Sequence, residues 1–354
     1  MPTGMEKPVR RYADKPCQAV FEITNRCNFR CPHCASNSGR ARPDELSTEE
    51  ARAVIRELRR MGCERMTVLG GEFLLRADWP ELCAEVKACG IALQLISNGV
   101  LIDDAVLDRI AELAPEVVAI SMDGASRETY RATRGVDGFD HCYQTLLAMR
   151  RRGMPTACIS TFSRRNLHDF DNFVPLFLDT GIVWQVQLAD SAGERFDPAD
   201  VLSDDDFEYF VDHALKVKHT LRGRLPLQLT DDFGYFPYER TAPEFAHWYG
   251  CPAGRGVIGI RANGDVLPCL SLGDAFVAEN LRRVPLAEIW AHHPLFLRQR
   301  EKARHLTGGC KACAMAERCM GGCTAMAITS TGEFGDNRYC IRRLEETRLL
   351  QTFS

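Results

Sequence analysis

Six short β-rich runs, each followed by a helical pattern, fill the first half of the chain. They are QAVFEIT (18–24), RMTVLG (65–70), ALQLISN (92–98), EVVAISMD (116–123), TACISTF (156–162) and VWQVQLA (183–189). The clearest helix between them is STEEARAVIRELRRMG. Ser47 and Glu50 form a capping box, Ala51, Val54, Ile55, Leu58 and Met61 line one face, and Gly62 can end it. ADWPELCAEVKACG, DAVLDRIAELA, FDHCYQTLLAMRRRG and NLHDFDNFVPLFLDTG read likewise. Strand–helix alternation of this kind asks for a parallel sheet with helices outside. Six units fall short of the eight that close a barrel. The expected fold is therefore α/β, a partial (β/α)6 TIM-like barrel. Its chemistry should sit on the loops at the C-terminal ends of the strands.

The remainder of the chain changes character twice. Residues 190–250 read as a bridge. SDDDFEYFVDHALKVKH is a helix capped by Ser203, and TDDFGYFPYERTAPEFAHWYG is aromatic and broken by Pro and Gly. After Cys251, short segments, many glycines and dense cysteines point to a small C-terminal fold held by metal. The expected organisation is a tail at 1–16, the barrel at 17–189, the bridge at 190–250, a cysteine-rich domain at 251–343 and a tail at 344–354. Net charge is −4 over 354 residues, which gives no electrostatic footprint for nucleic acid. The polar N-terminus lacks the apolar stretch of a secretory signal, and no run of about 18 apolar residues marks a membrane span. The expected compartment is the cytoplasm.

Sixteen cysteines are many for a reducing compartment, where clustered thiols usually hold metal. Cys17, Cys63, Cys83, Cys89, Cys142 and Cys158 are isolated and read as small core residues. Three others fall within CNFRCPHC, at Cys27, Cys31 and Cys34, directly after the first strand. Thiolate-rich sites suit zinc or iron–sulfur clusters. A four-iron cluster held by three cysteines leaves one iron open to an external molecule, which makes the vacancy a reaction site. The alternative is a zinc site completed by His33 or a distant residue.

CNFRCPHC resembles the C-x3-C-x2-C signature of radical S-adenosylmethionine (SAM) enzymes. The resemblance implies that Cys27, Cys31 and Cys34 hold a [4Fe–4S] cluster whose fourth iron binds the methionine end of SAM. One electron then cleaves SAM to methionine and a 5′-deoxyadenosyl radical, which abstracts a substrate hydrogen. Other motifs follow in the family's order. Gly70, Gly71 and Glu72 resemble its Gly-Gly-Glu motif, with the glycines admitting the methionine end and Glu72 meeting its ammonium. Phe73 stands where the family usually has proline. Ser97 and Asn98 end the third strand in SNG, and Ser121 ends the fourth in SMDG. The resemblance places Ser121 near the methionine or ribose, Arg134 at the SAM carboxylate, and His33 and Phe29 near the adenine.

The later cysteines read C251-x12-G264-x4-C269 and C310-x2-C313-x5-C319-x3-C323-x16-C340. This pattern resembles the SPASM extension, which holds two auxiliary [4Fe–4S] clusters and brings the implied total to three. By position, Cys310, Cys313, Cys319 and Cys340 hold one, and Cys251, Cys269 and Cys323 hold the nearer one. An eighth cysteine found in some members is missing; Phe245 stands six positions before Cys251, and His247 is the candidate ligand closest in sequence. A zinc ribbon is the alternative for the whole set.

Auxiliary clusters imply a net oxidation or a crosslink, with a flavodoxin or ferredoxin as electron donor. The leading substrate class is a peptide, as in natural-product precursor maturation. No further domain precedes the barrel, so a leader-binding protein is expected as a separate partner. The alternative substrate is a small aminocyclitol or aminosugar, dehydrogenated or epimerised. Cys158 is then a candidate hydrogen-atom donor, and Asp190, Asp231 and Asp232 are candidate acid/base or cation-binding residues. A non-catalytic iron–sulfur electron carrier is the alternative of another kind.

Overall fold

The computed structural model describes residues 15–230 and 249–352. Its framework is β1 (Gln18–Glu22), α1 (Thr48–Arg60), β2 (Arg65–Leu69), α2 (Trp79–Ala88), β3 (Ala92–Ser97), α3 (Asp104–Glu112) and β4 (Val117–Ser121). Then come α4 (Arg127–Arg134), α5 (Phe139–Arg151), β5 (Thr156–Phe162), α6 (Phe170–Phe177), β6 (Val183–Leu188), α7 (Asp204–Thr220) and β7 (Leu227–Leu229). Strands β1 to β7 pair in sequence order, all parallel. The sheet stays open, and β7 is a seventh parallel strand beyond the six expected runs.

Local chemistry explains the elements. Ser47 accepts from the Glu50 amide, and the Glu50 carboxylate accepts from the Ser47 amide, closing the capping box of α1. Gly62 has φ +90°, which lets the chain turn out of that helix. Ser203 and Asp206 cap α7 in the same way. Helix α4 is an extra helix between β4 and α5, and carries its own capping box at Ser126 and Thr129.

Strand alternation divides the sheet into two faces. Phe21, Val68, Leu95, Val118, Cys158 and Trp184 face the helices and share one buried core. Phe162, Phe170, Phe173, Phe210 and Trp184 form its aromatic heart, with Phe170 and Trp184 centroids 4.8 Å apart. Full burial of such side chains contributes roughly 1.5–3 kcal/mol each. On the other face, Val20, Thr67, Gln94, Ala157 and Gln185 line a concave cavity of about 650 Å³.

The region after Cys251 is not only a separate appendage. β8 (Val257–Ile260) pairs parallel with β1, and β9 (Asp265–Leu267) and β10 (Glu279–Asn280) follow antiparallel, making one ten-stranded sheet. Buried Glu22 ties the seam, accepting from Arg42 Nε at 2.6 Å and the Ala262 amide at 3.3 Å. The expected C-terminal tail is instead largely a helix, Ile341–Thr352. Leu344 packs against the core, and Arg348 pairs with Asp205 and Glu208 of α7.

Candidate cofactor and active site

The three-cysteine loop leaves β1 at Thr24 and returns at Gly39. The Cys27 amide donates to the Gly39 carbonyl and the Gly39 amide to Asn25, at 3.2 and 3.1 Å. Glu45 pins its base, accepting from Thr24 Oγ1 and from the Asn25 and Arg42 amides. The Phe29 amide points at Cys27 Sγ, 3.3 Å away. Burial pushes the Cys27 thiol up to about 11 and raises Cys31 as well. Buried thiolates without cations are costly, and iron supplies that charge. The Cys27, Cys31 and Cys34 thiols are close enough to repel one another as thiolates. The donor set therefore fits a thiolate-ligated cluster.

Gly70 and Gly71 are explained by chain crossing. A Cβ on Gly70 would meet the Thr24 carbonyl oxygen at 2.4 Å, and one on Gly71 the Arg26 and Asn25 oxygens at 2.5 and 2.6 Å. The Gly71 and Glu72 amides donate to Thr24 and Arg26. The β2 loop thus clamps the base of the cysteine loop. Phe73, at the proline position, is buried edge-on against Trp79 and opens a short 3-10 turn. Glu72 is 1 % exposed and accepts from Ser97 Oγ at 2.9 Å and the Asn98 amide at 2.7 Å. Burial pushes its carboxyl up to about 7, against those hydrogen bonds. Asn98 Nδ2 donates to Asn28 Oδ1 at 2.8 Å, joining this carboxylate to the cysteine loop.

Sequence reasoning missed the residue that organises the next layer. Asp123, in SMDG, is fully buried and accepts from the Thr161 amide at 2.7 Å. His33 Nε2 lies 2.9 Å and Arg134 Nε 2.7 Å from its Oδ2. Both contacts are at ion-pair distance, so Asp123 sits between two nitrogen groups. Burial opposes the Asp123 charge, but Arg134 and His33 outweigh it and hold the carboxyl down at about 2. The Arg134 charge also opposes the burial that raises the Cys31 thiol. His33 is thus paired with a carboxylate, and Phe29 is packed into the main core. Ser121 is half-buried at the end of β4, on the same loop as Asp123.

The loop after β6 also packs on the cysteines. A Cβ on Gly193 would meet the Cys34 carbonyl oxygen at 2.4 Å. Arg195 Nε donates to the Cys31 carbonyl and its Nη2 to Ser38, both at 3.2 Å. Only close approach demands these residues, and no spacing pattern announces it. Asp190 begins this loop. Burial pushes its carboxyl up to about 6, opposed by the Ala192 amide and by His33. Asp231 and Asp232 lie outside the described residues, as do Phe245 and His247.

Asp190, Gln187, Cys251, Cys269 and Cys323 line one cavity of about 210 Å³. The three thiols and the end of β6 therefore share a space. Cys251 hydrogen-bonds Cys323, which pulls its pKa below the usual thiol range. The other set lies on short turns and helices. The Met315 amide points at Cys313 Sγ and the Asn337 amide at Cys310 Sγ, at 3.4 and 3.5 Å. Cys310, Cys319 and Cys340 influence one another electrostatically, and burial pushes Cys319 up to about 12. Among the described residues, no three His, Cys, Asp or Glu are gathered closely enough to hold a single metal ion.

Cys158 is a correction. It faces the helices, 0 % exposed, 3.8 Å from Ser160 Oγ. Its neighbours Ala157 and Ile159 face the concave cavity instead. A thiol fully buried on the helix side of β5 does not open onto the concave face, so the hydrogen-donor expectation is withdrawn.

The radical SAM superfamily profile matches residues 21–176, and the SPASM iron–sulfur cluster-binding domain matches residues 251–314. The chain is 32% identical over 319 residues to mycofactocin maturase MftC of Mycolicibacterium smegmatis, covering 89% of this chain and 80% of that protein. It is 28% identical to the AdoMet-dependent heme synthase of Methanosarcina barkeri, covering 93% and 97%. It is 27% identical to the PqqA peptide cyclase of Xanthomonas euvesicatoria pv. vesicatoria, covering 91% and 86%. Among solved structures, Streptococcus suis SuiB bound to precursor peptide SuiA shares the fold, with TM-score 0.74 at 18% identity, covering 92% and 75%.

Proposed function

The chain belongs to the radical SAM superfamily, in the group that carries a SPASM iron–sulfur domain, and we propose that it oxidises or crosslinks a precursor peptide. The observation that carries this reading is the convergence of the three-cysteine loop, Glu72 and Asp190 on one end of the barrel, beside the cavity lined by Cys251, Cys269 and Cys323. The names of MftC and the PqqA cyclase favour maturation of a peptide.

The cofactors are SAM and iron–sulfur clusters, and we put the clusters at three. When bound, they supply one-electron cleavage of SAM and hydrogen abstraction from carbon. Cys27, Cys31 and Cys34 hold the first cluster. Glu72, oriented by Ser97 and the Asn98 amide, meets the ammonium of SAM. Arg134, steadied by Asp123, would offer its guanidinium to the carboxylate, and Ser121 would lie near the methionine or ribose. Cys310, Cys313, Cys319 and Cys340 hold one auxiliary cluster, and Cys251, Cys269 and Cys323 the other. Asp190, between His33 and that second set, handles the substrate's proton. A flavodoxin or ferredoxin delivers the electron, and a separate protein presents the leader peptide. No described helix is long and apolar enough to cross a membrane, and we assign the cytoplasm. The described residues 251–343 make the auxiliary-cluster domain in this reading, with 17–189 the barrel.

The heme synthase is the observation that favours a non-peptide substrate. Anaerobic assays separate the readings. Reconstituted protein with SAM and dithionite should release 5′-deoxyadenosine; a non-catalytic carrier releases none. A synthetic peptide encoded by a short reading frame beside the gene should then lose hydrogen mass. Loss of hydrogen from an aminocyclitol or porphyrin precursor, with the peptide untouched, would move the assignment to a small molecule.

A further inference from the structure

Between the two later cysteine sets lies a lysine that nothing above uses. Lys302 is 1 % exposed, on a 3-10 turn (Lys302–His305) that follows the helix Pro294–Arg300. Its Nζ donates to the Gly322 carbonyl at 2.9 Å and lies 5.5 Å from the centre of the Phe334 ring. Among the described residues no carboxylate pairs with it. Burial lowers its pKa, and the groups that oppose this, once ionised, are the Cys251 and Cys323 thiols from one set and the Cys319 and Cys310 thiols from the other.

A buried ammonium without a counter-charge is strongly disfavoured. One hydrogen bond and an aromatic face do not remove that cost. The backbone near it is also held unusually. Met320, Gly321 and Gly322 have φ of +50°, +70° and +64°, all left-handed, and they connect Cys319 to Cys323. Met320 is a non-glycine residue held in that disfavoured region. This turn aims the Gly322 carbonyl at Lys302, so the ammonium ties down the link between the two sets.

We propose that the Lys302 ammonium is the shared counter-charge of the two auxiliary clusters and sets their reduction potentials. This rests on the auxiliary-cluster reading above. Thiolate-ligated clusters are anionic, and their potentials follow net charge, hydrogen bonding and solvent exposure. A fixed positive charge stabilises the reduced, more negative cluster and raises the potential. Lys302 therefore makes both clusters better electron acceptors. It acts on substrate only through them, as a positioning residue.

The test uses the full chain with Cys27, Cys31 and Cys34 replaced by alanine, so that only auxiliary iron is observed. Lys302→Met and Lys302→Arg are compared with Lys302 by iron content and by anaerobic redox titration followed by electron paramagnetic resonance. The proposal expects Lys302→Met to shift the auxiliary midpoints to more negative potential, and Lys302→Arg to keep them near the parent. Unchanged potentials in an iron-replete Lys302→Met protein would overturn it. If Lys302→Met loses iron, retention of iron by Lys302→Arg supports the charge role; equal loss in both overturns it in favour of packing. A parent that holds no auxiliary iron overturns the cluster reading, and this inference with it.

Discussion

The two cysteine regions are built on opposite principles. The first places three thiols within eight residues, and the surrounding barrel orders them. Glu45, Gly70, Gly71, Asn98 and Arg195 each grip that loop through the protein's own hydrogen bonds or close contacts. The second spreads seven thiols over 251–340, and from 308 onwards its helices at Gly308–Lys311 and Ala316–Cys319 are single turns. Helices so short do not hold themselves. A loop shaped by a barrel should survive loss of its metal, whereas single turns should depend on theirs.

The comparison breaks most sharply at one cysteine in each region. Cys31→Ala should abolish 5′-deoxyadenosine formation from SAM while leaving the auxiliary iron in place and the melting temperature within a few degrees. Full activity in that protein would remove the radical SAM assignment. Cys313→Ala should do the reverse, lowering total iron by about one four-iron cluster and making the C-terminal segment sensitive to proteolysis. Intact iron and unchanged proteolysis would show that this region folds without its cluster.

Smaller effects sharpen the contrast. Gly71→Ala drives a Cβ into two backbone carbonyls. It should cost about 3 kcal/mol in denaturant unfolding of the barrel and loosen the cysteine loop. Glu72 adds a pH signature. Its folded pKa of about 7 lies above the ordinary 4.5, so the folded chain binds the extra proton in between. The protonated form's advantage, about 3 kcal/mol, is present below pH 4.5 and lost as pH rises through 7. Without SAM, Glu72→Gln should flatten that slope and be the more stable protein at pH 8. A parallel pH profile in the two proteins would contradict the buried, desolvated carboxylate. Ser203→Ala, which removes the cap of α7, should cost about 1 kcal/mol and change iron content in neither region.

The barrel was readable because its signals are local. Each strand run and the capping box at Ser47 and Glu50 declare themselves within a few residues, and all six strand runs form strands at their expected places. What escaped depends on distance or on solitude. β8 joins β1 across some 240 residues of chain, and nothing in VIGI names its partner. Asp123 is one carboxylate among many acids; only burial between His33 and Arg134 distinguishes it. Gly193 and Arg195 matter because a later loop crosses the cysteine loop, which no spacing encodes. Cys158 was misread because a single residue's register decides which face of β5 its thiol meets.

The central claim is that the barrel orders the three-cysteine loop, whereas the single turns that carry Cys310 and Cys319 depend on bound metal. Iron and sulfide per chain should be measured on anaerobically reconstituted protein, with and without the Cys27/Cys31/Cys34 triple alanine substitution. The account predicts about twelve irons falling to about eight, as three four-iron clusters require, with the barrel still folded. About four irons falling to none would contradict it, leaving the C-terminal cysteines without clusters and their fold without its support.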